Sequence, residues 1–166
     1  AGSNRMLVVA LSYEASSSAA LTATSVTYGG VAMTAATAND AAAANSMHSL
    51  IYYLKDNAIM DGVNHAVVVN ITGGGVAVMQ NVWYSVYTGV DQIATPTSQN
   101  YNSGGVAVTN TIAFATPLAT PAGYQAVLVG TAARAVAAVT VTTPTNWTTN
   151  DNQASGTTGR GIVGTF

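Results

Sequence analysis

The run MLVVALSY at positions 6–13 has no polar face. With the two-residue period of a strand, Leu7, Val9, Leu11 and Tyr13 fall on one side and Met6, Val8, Ala10 and Ser12 on the other. A strand over 5–14 is therefore expected to be covered on both sides. Further period-two runs follow, separated by turn signals at the spacing of a sandwich or barrel. The stretches 25–28 and 31–34 flank Gly29-Gly30, and a two-residue Gly-Gly link supplies the positive φ values that a primed hairpin turn requires. Strands are also expected at 47–55, at 64–72 with Val67, Val69 and Ile71 on one face, and at 76–88, 106–114, 124–131, 136–143 and 161–166.

The expected fold is a single all-β domain spanning 1–166, an antiparallel two-sheet sandwich of about ten strands. Its core draws on Leu7, Leu11, Val26, Leu50, Leu54, Val67, Val69, Ile71, Val82, Val86, Val108 and Ile112. Two kinds of segment resist a strand reading. The Ala-rich run 39–46 follows a plausible N-cap and offers the alternative of a helix reaching Leu54. The Ser/Thr/Asn-rich stretches 92–105 and 143–159 read as long polar loops.

Only ten side chains carry formal charge, four basic and six acidic, which is 6% of 166 residues. Soluble domains average roughly a quarter. With so few charged helix formers, helical bundles and coiled coils are disfavoured. The four cations, Arg5, Lys55, Arg134 and Arg160, are scattered singly, so neither a phosphate backbone nor an anionic membrane surface finds an electrostatic footprint. The apolar stretch 122–141 contains Gln125, Gly130 and Arg134 and reads as two strands, not a membrane span. Cysteine is absent, which removes thiol nucleophiles, thiolate metal sites and redox motifs together. Ala1-Gly2-Ser3 is either what remains after signal cleavage at a small-residue site or a trimmed end.

The search for chemistry yields no constellation. A nucleophilic hydrolase needs a base beside an activated hydroxyl; only His48 and His65 are available, each among apolar strand neighbours, and no Gly-x-Ser-x-Gly elbow accompanies them. Asp56 and Asp61 are close in sequence but lie in a connecting turn, where aspartate serves backbone hydrogen bonding. The run Asn150-Asp151-Asn152-Gln153 offers oxygens yet lacks the spaced acids of a calcium loop. Gly73-Gly74-Gly75 reads as a turn, with no helix after it and no lysine beside it. Trp83 and Tyr84 are expected in the core, with sugar stacking as the alternative. No catalytic residue, metal site or cofactor is assigned. Asn70-Ile71-Thr72 and Asn146-Trp147-Thr148 match the N-glycosylation acceptor pattern, making Asn70 and Asn146 candidate carriers of a surface glycan.

The strings SNRMLVVALSYE (3–14), SVTYGGVAMT (25–34), IYYLKDNAIMDG (51–62) and YTGVDQ (87–92) carry a resemblance. Together they resemble a β-sandwich domain recurrent in secreted and cell-surface proteins of prokaryotes, in which an NRLLVV strand precedes a VTYGG hairpin, a YYL strand and a GVDQ turn. The resemblance covers residues 3–92 and rests on structural motifs. It implies a jelly-roll-like sandwich and an extracellular, cell-surface address, and it assigns no active site. In that domain a further strand usually precedes the SNR segment and another follows the position of Phe166, so both sheet edges are expected to be incomplete.

Scarce charge suits a subunit whose surface neighbours bury better than a free monomer, which would risk association. The leading expectation is a non-enzymatic structural subunit of an extracellular homopolymeric filament, pilus- or fibre-like. A carbohydrate-binding or adhesive module ranks second, and a viral coat or decoration protein third. Head-to-tail joining by donor-strand addition makes the termini the candidates. The first nine residues are the preferred donor, with Ser3, Asn4, Met6, Leu7 and Val9; the last seven, with Ile162, Val163 and Phe166, are the alternative donor or receiving edge. The competing expectation is that both are ordinary strands of their own subunit.

Overall fold

The computed structural model of the chain describes residues 3–15, 21–36, 47–56, 62–73, 77–96, 127–132, 148–155 and 159–165. Among them there are strands and no helix. The strands are β1 (Met6–Ala15), β2 (Leu21–Tyr28), β3 (Val31–Ala32), β4 (Thr34–Ala35), β5 (Met47–Lys55), β6 (Val67–Gly73), β7 (Ala77–Tyr87), β8 (Val127–Ala132), β9 (Thr148–Ser155) and β10 (Gly159–Thr165).

Two antiparallel sheets organise the first part of the chain. One has the order β4, β5, β1, β7, and the other β3, β2, β6. The apolar strand β1 lies inside the larger sheet, paired with β5 from Met6↔Lys55 to Glu14↔Met47 and with β7 from Met6↔Tyr87 to Glu14↔Met79. Leu7, Val9, Leu11 and Tyr13 form a buried cluster with Leu50, Tyr52 and Leu54 of β5, Val26 of β2 and Met33. Tyr28, Val31, Val67, Val69 and Ile71 pack against it, so both sheets feed one core.

The opposite side of β1 is closed as well. Val8 is 3% exposed and Ala10 1%. A third set of strands takes the order β8, β10, β9. β8 lies against β5 and β1, and β9 and β10 lie against β7.

The Gly-Gly hairpin forms as its sequence requires. Tyr28 pairs with Val31, and Gly29 and Gly30 take φ values of 55° and 85°. A side chain at Gly30 would meet nothing within 4 Å, so the cost of adding one is the left-handed backbone alone. Gly30→Ala is expected to lower stability by about 1–2 kcal/mol, measured by urea unfolding. After the hairpin, the chain leaves the smaller sheet at Met33: β3 pairs with β2, and β4 pairs with β5. This single-residue crossing joins one side of the two sheets.

The structure corrects several expectations. Val82 and Val86, expected in the core, are 47% and 54% exposed, and Tyr84 is 64% exposed. All three lie opposite buried β1 residues, at Leu11↔Val82, Val9↔Tyr84 and Leu7↔Val86. They share the core-facing side of the sheet but stand on its edge strand, beyond the cover of the smaller sheet. The polar stretch 143–159 is not loop throughout, because Thr148–Ser155 pairs along β10 as β9; ladder hydrogen bonds need no apolar alternation. Residues 47–54 form a strand, which excludes a helix reaching Leu54. Val108, Ile112 and the expected strands at 106–114 and 136–143 lie outside the described residues.

Candidate assembly surface

The start of β1 is fixed by a polar clamp built from three segments. Asn4 takes a left-handed φ of 53°, a conformation asparagine tolerates better than most residues. The Val90 N–H donates to the Asn4 carbonyl at 2.9 Å and the Gly89 N–H to the Ser3 carbonyl at 3.3 Å. Arg5 reaches Asp56 at the end of β5: its Nη2 and Nε donate to Oδ1 at 2.8 and 3.2 Å, and its backbone N–H donates to Oδ2 at 3.2 Å. Gln92 ties the third segment in, accepting from the Asp56 N–H at 2.9 Å and donating to the carbonyls of Val90 at 2.8 Å and Arg5 at 3.2 Å. Asp91 caps its own turn by accepting from the N–H groups of Ile93 and Ala94 at 2.7 and 3.2 Å. The Lys55 ammonium donates to the Ala94 carbonyl.

Hydrogen bonds from Arg5 hold the Asp56 carboxyl below its ordinary value of 3.8, and the Ile93 and Ala94 amides do the same for Asp91. Burial pushes the Tyr87 phenol up. A depressed carboxylate contributes stability that is full above its unfolded value and is lost as pH falls through its folded value. Asp56→Asn is therefore expected to flatten the acid limb of the stability curve. The check is urea unfolding at neutral pH and at about pH 3, where the two proteins should differ less than at neutrality. An unchanged acid limb would contradict the clamp.

The sequence-predicted site residues fall in different places. Ser3 and Asn4 are exposed beside the clamp. Met6, Leu7 and Val9 are held between β5 and β7 of their own chain. Ile162 and Val163 lie on β10, paired on both sides by β8 and β9. Phe166 and Asn146 lie outside the described residues. Asn70 is exposed on β6, and its Nδ2 donates to Ser25 Oγ at 2.9 Å. His65 meets the Tyr28 ring edge to face at 5.5 Å between centroids. Asp56 is engaged by Arg5, and Asp61 is not among the described residues. Among the described residues no three His, Cys, Asp or Glu side chains converge as metal ligands, and no helix is long and apolar enough to cross a membrane.

What sequence reasoning missed is the exposed side of the two main sheets. β7 ends the order β4, β5, β1, β7, and β6 ends the order β3, β2, β6. The crossing at Met33 joins the opposite ends of those sheets. Among the described residues no strand pairs with the outer edge of β7 or of β6. Neither strand carries a charged side chain or a proline. The signal available in the sequence was that uncharged run itself, which periodicity alone reads as core. No family model, curated protein or solved structure matches the chain.

Proposed function

We propose that the chain is a structural subunit of an extracellular homopolymeric filament, a jelly-roll-like sandwich joined to its neighbours head to tail and without catalytic activity. The observation that carries the reading is β7: eleven residues at a sheet end, with no charge, no proline and three exposed apolar side chains. Soluble proteins guard sheet edges with charges, prolines or bulges; β7 has neither charge nor proline, and its one register irregularity lies at its start, where Glu14↔Met79 gives way to Ala15↔Ala77. The chain as a whole adds little repulsion between copies, with a net charge of -2.

The termini remain donors in this reading on one condition. Met6, Leu7 and Val9 already have both edges paired, as do Ile162 and Val163, so either strand would have to leave its own sheet and fill the equivalent place in a neighbour. Such exchange preserves every native contact and links subunits. The extracellular reading also proposes Asn70 as a glycan carrier. Peptide mass mapping of native material would show a glycan on the Asn70 peptide; an unmodified peptide would remove that assignment.

Sedimentation velocity of the purified chain over a range of concentrations tests the function. Growth of species well above 16.7 kDa is expected. A single monomer boundary at every concentration would refute it. The carbohydrate-binding alternative draws support from the exposed Tyr84 ring, and it predicts a monomer whose Tyr84 resonances shift on titration with oligosaccharide.

A further inference from the structure

We propose that residues 88–94 form a strap across one end of the larger sheet, and that acid releases it as a unit while the sheet stays folded. Tyr87, Met6 and Lys55 stand side by side at that end, in register on β7, β1 and β5. From Tyr87 the chain crosses the start of β1 and reaches the end of β5. It is tied to Ser3 and Asn4 through the Gly89 and Val90 amides, to Arg5 and Asp56 through the Gln92 side chain, and to Lys55 through the Ala94 carbonyl. These ties are all polar. No residue of 88–94 belongs to the buried cluster, and Ile93 is 96% exposed. Opening therefore exchanges hydrogen bonds for water and gives up little apolar burial, which puts the strap at the low-stability end of the fold.

Two carboxylates hold the strap in shape. Asp56 accepts three hydrogen bonds from Arg5, and the same two residues grip the Gln92 amide at both ends. The Asp56 N–H donates to Gln92 Oε1, and Gln92 Nε2 donates to the Arg5 carbonyl. Asp91 accepts from the Ile93 and Ala94 amides and so shapes the turn that presents the Ala94 carbonyl to Lys55. The titratable and charged groups on the strap and on the strand ends beneath it are Arg5, Lys55, Asp56, Asp91 and the Tyr87 phenol, which stays protonated throughout the acid range. Both carboxyls are held below 3.8 by the bonds they accept, so each contributes fully above that value and is lost as pH falls through its folded value. Protonating Asp56 takes the counter-charge from Arg5, and protonating Asp91 takes it from Lys55. Both losses fall in one pH range and act on one segment.

Backbone amide relaxation by NMR, on the full chain diluted to its monomer, tests this between neutrality and about pH 2. At neutral pH, Gly89, Val90, Ile93 and Ala94 are expected to share the order parameter of a rigid backbone, about 0.85, with Val8, Ala10, Leu50 and Leu54 of the sheet. In acid the strap amides are expected to fall together below about 0.6 as the Asp56 and Asp91 carboxyl carbons titrate, while the sheet amides keep their values. Gln92→Ala removes the side chain that bridges Arg5 and Asp56, and it is expected to bring the same loss of order at neutral pH with far-UV circular dichroism unchanged. A strap that stays ordered after both carboxyls have titrated would overturn the proposal. Sheet amides that loosen together with the strap would overturn it as well, since the strap would then be no separate unit. So would a Gln92→Ala chain that is unfolded throughout or whose strap is as rigid as the parent's.

Discussion

Ala10→Asp is expected to leave the protein unable to reach its native fold. Ala10 sits at the middle of β1, 1% exposed, opposite Ile51 on one side and Trp83 on the other. Of the cations whose side chains are described, Arg5 is committed to Asp56 and Lys55 to the Ala94 carbonyl. Burying an unpaired charge costs several kcal/mol, of the same order as the roughly 5–15 kcal/mol that holds a domain together. Far-UV circular dichroism and gel filtration would report the loss. A folded Ala10→Asp protein with native stability would mean that this face of β1 is open to water, contradicting its burial.

The second large effect separates two tyrosines on the same side of the same sheet. Tyr13, on β1, is 1% exposed, whereas Tyr84, on β7, is 64% exposed. Tyr13→Ala removes a ring from the cluster of Leu11, Val26 and Leu50 and is expected to cost about 3–5 kcal/mol, the range of large aromatic truncations in cores. Tyr84→Ala is expected to change monomer stability by less than about 0.5 kcal/mol. Urea unfolding of both variants against the parent decides the matter. Equal losses would show that β7 is covered in the monomer.

That contrast also shows what was legible in the sequence. The two-sided apolar run 6–13 announced a covered central strand, and the Gly29-Gly30 link announced the hairpin, because each depends on local chemistry that tertiary context does not alter. The core positions of β2, β5 and β6 followed from period-two alternation. Alternation assigns a side chain to a face, however, and not to a place along the sheet. Val82 and Val86 have the pattern of core residues and stand at the sheet's end, where the smaller sheet does not reach. β9 was hidden for the opposite reason, since its residues TTNDNQAS are polar on both faces and are held by main-chain pairing to β10. The clamp of Arg5, Asp56 and Gln92 joins positions far apart in sequence, and nothing in the spacing of one basic, one acidic and one amide residue marks them as partners.

The proposed filament joins scarce charge to an end strand, β7, that has neither charge nor proline. Cryo-electron microscopy of the native material tests it most directly. The account predicts filaments of uniform width with a regular axial repeat. Dispersed single particles would contradict it.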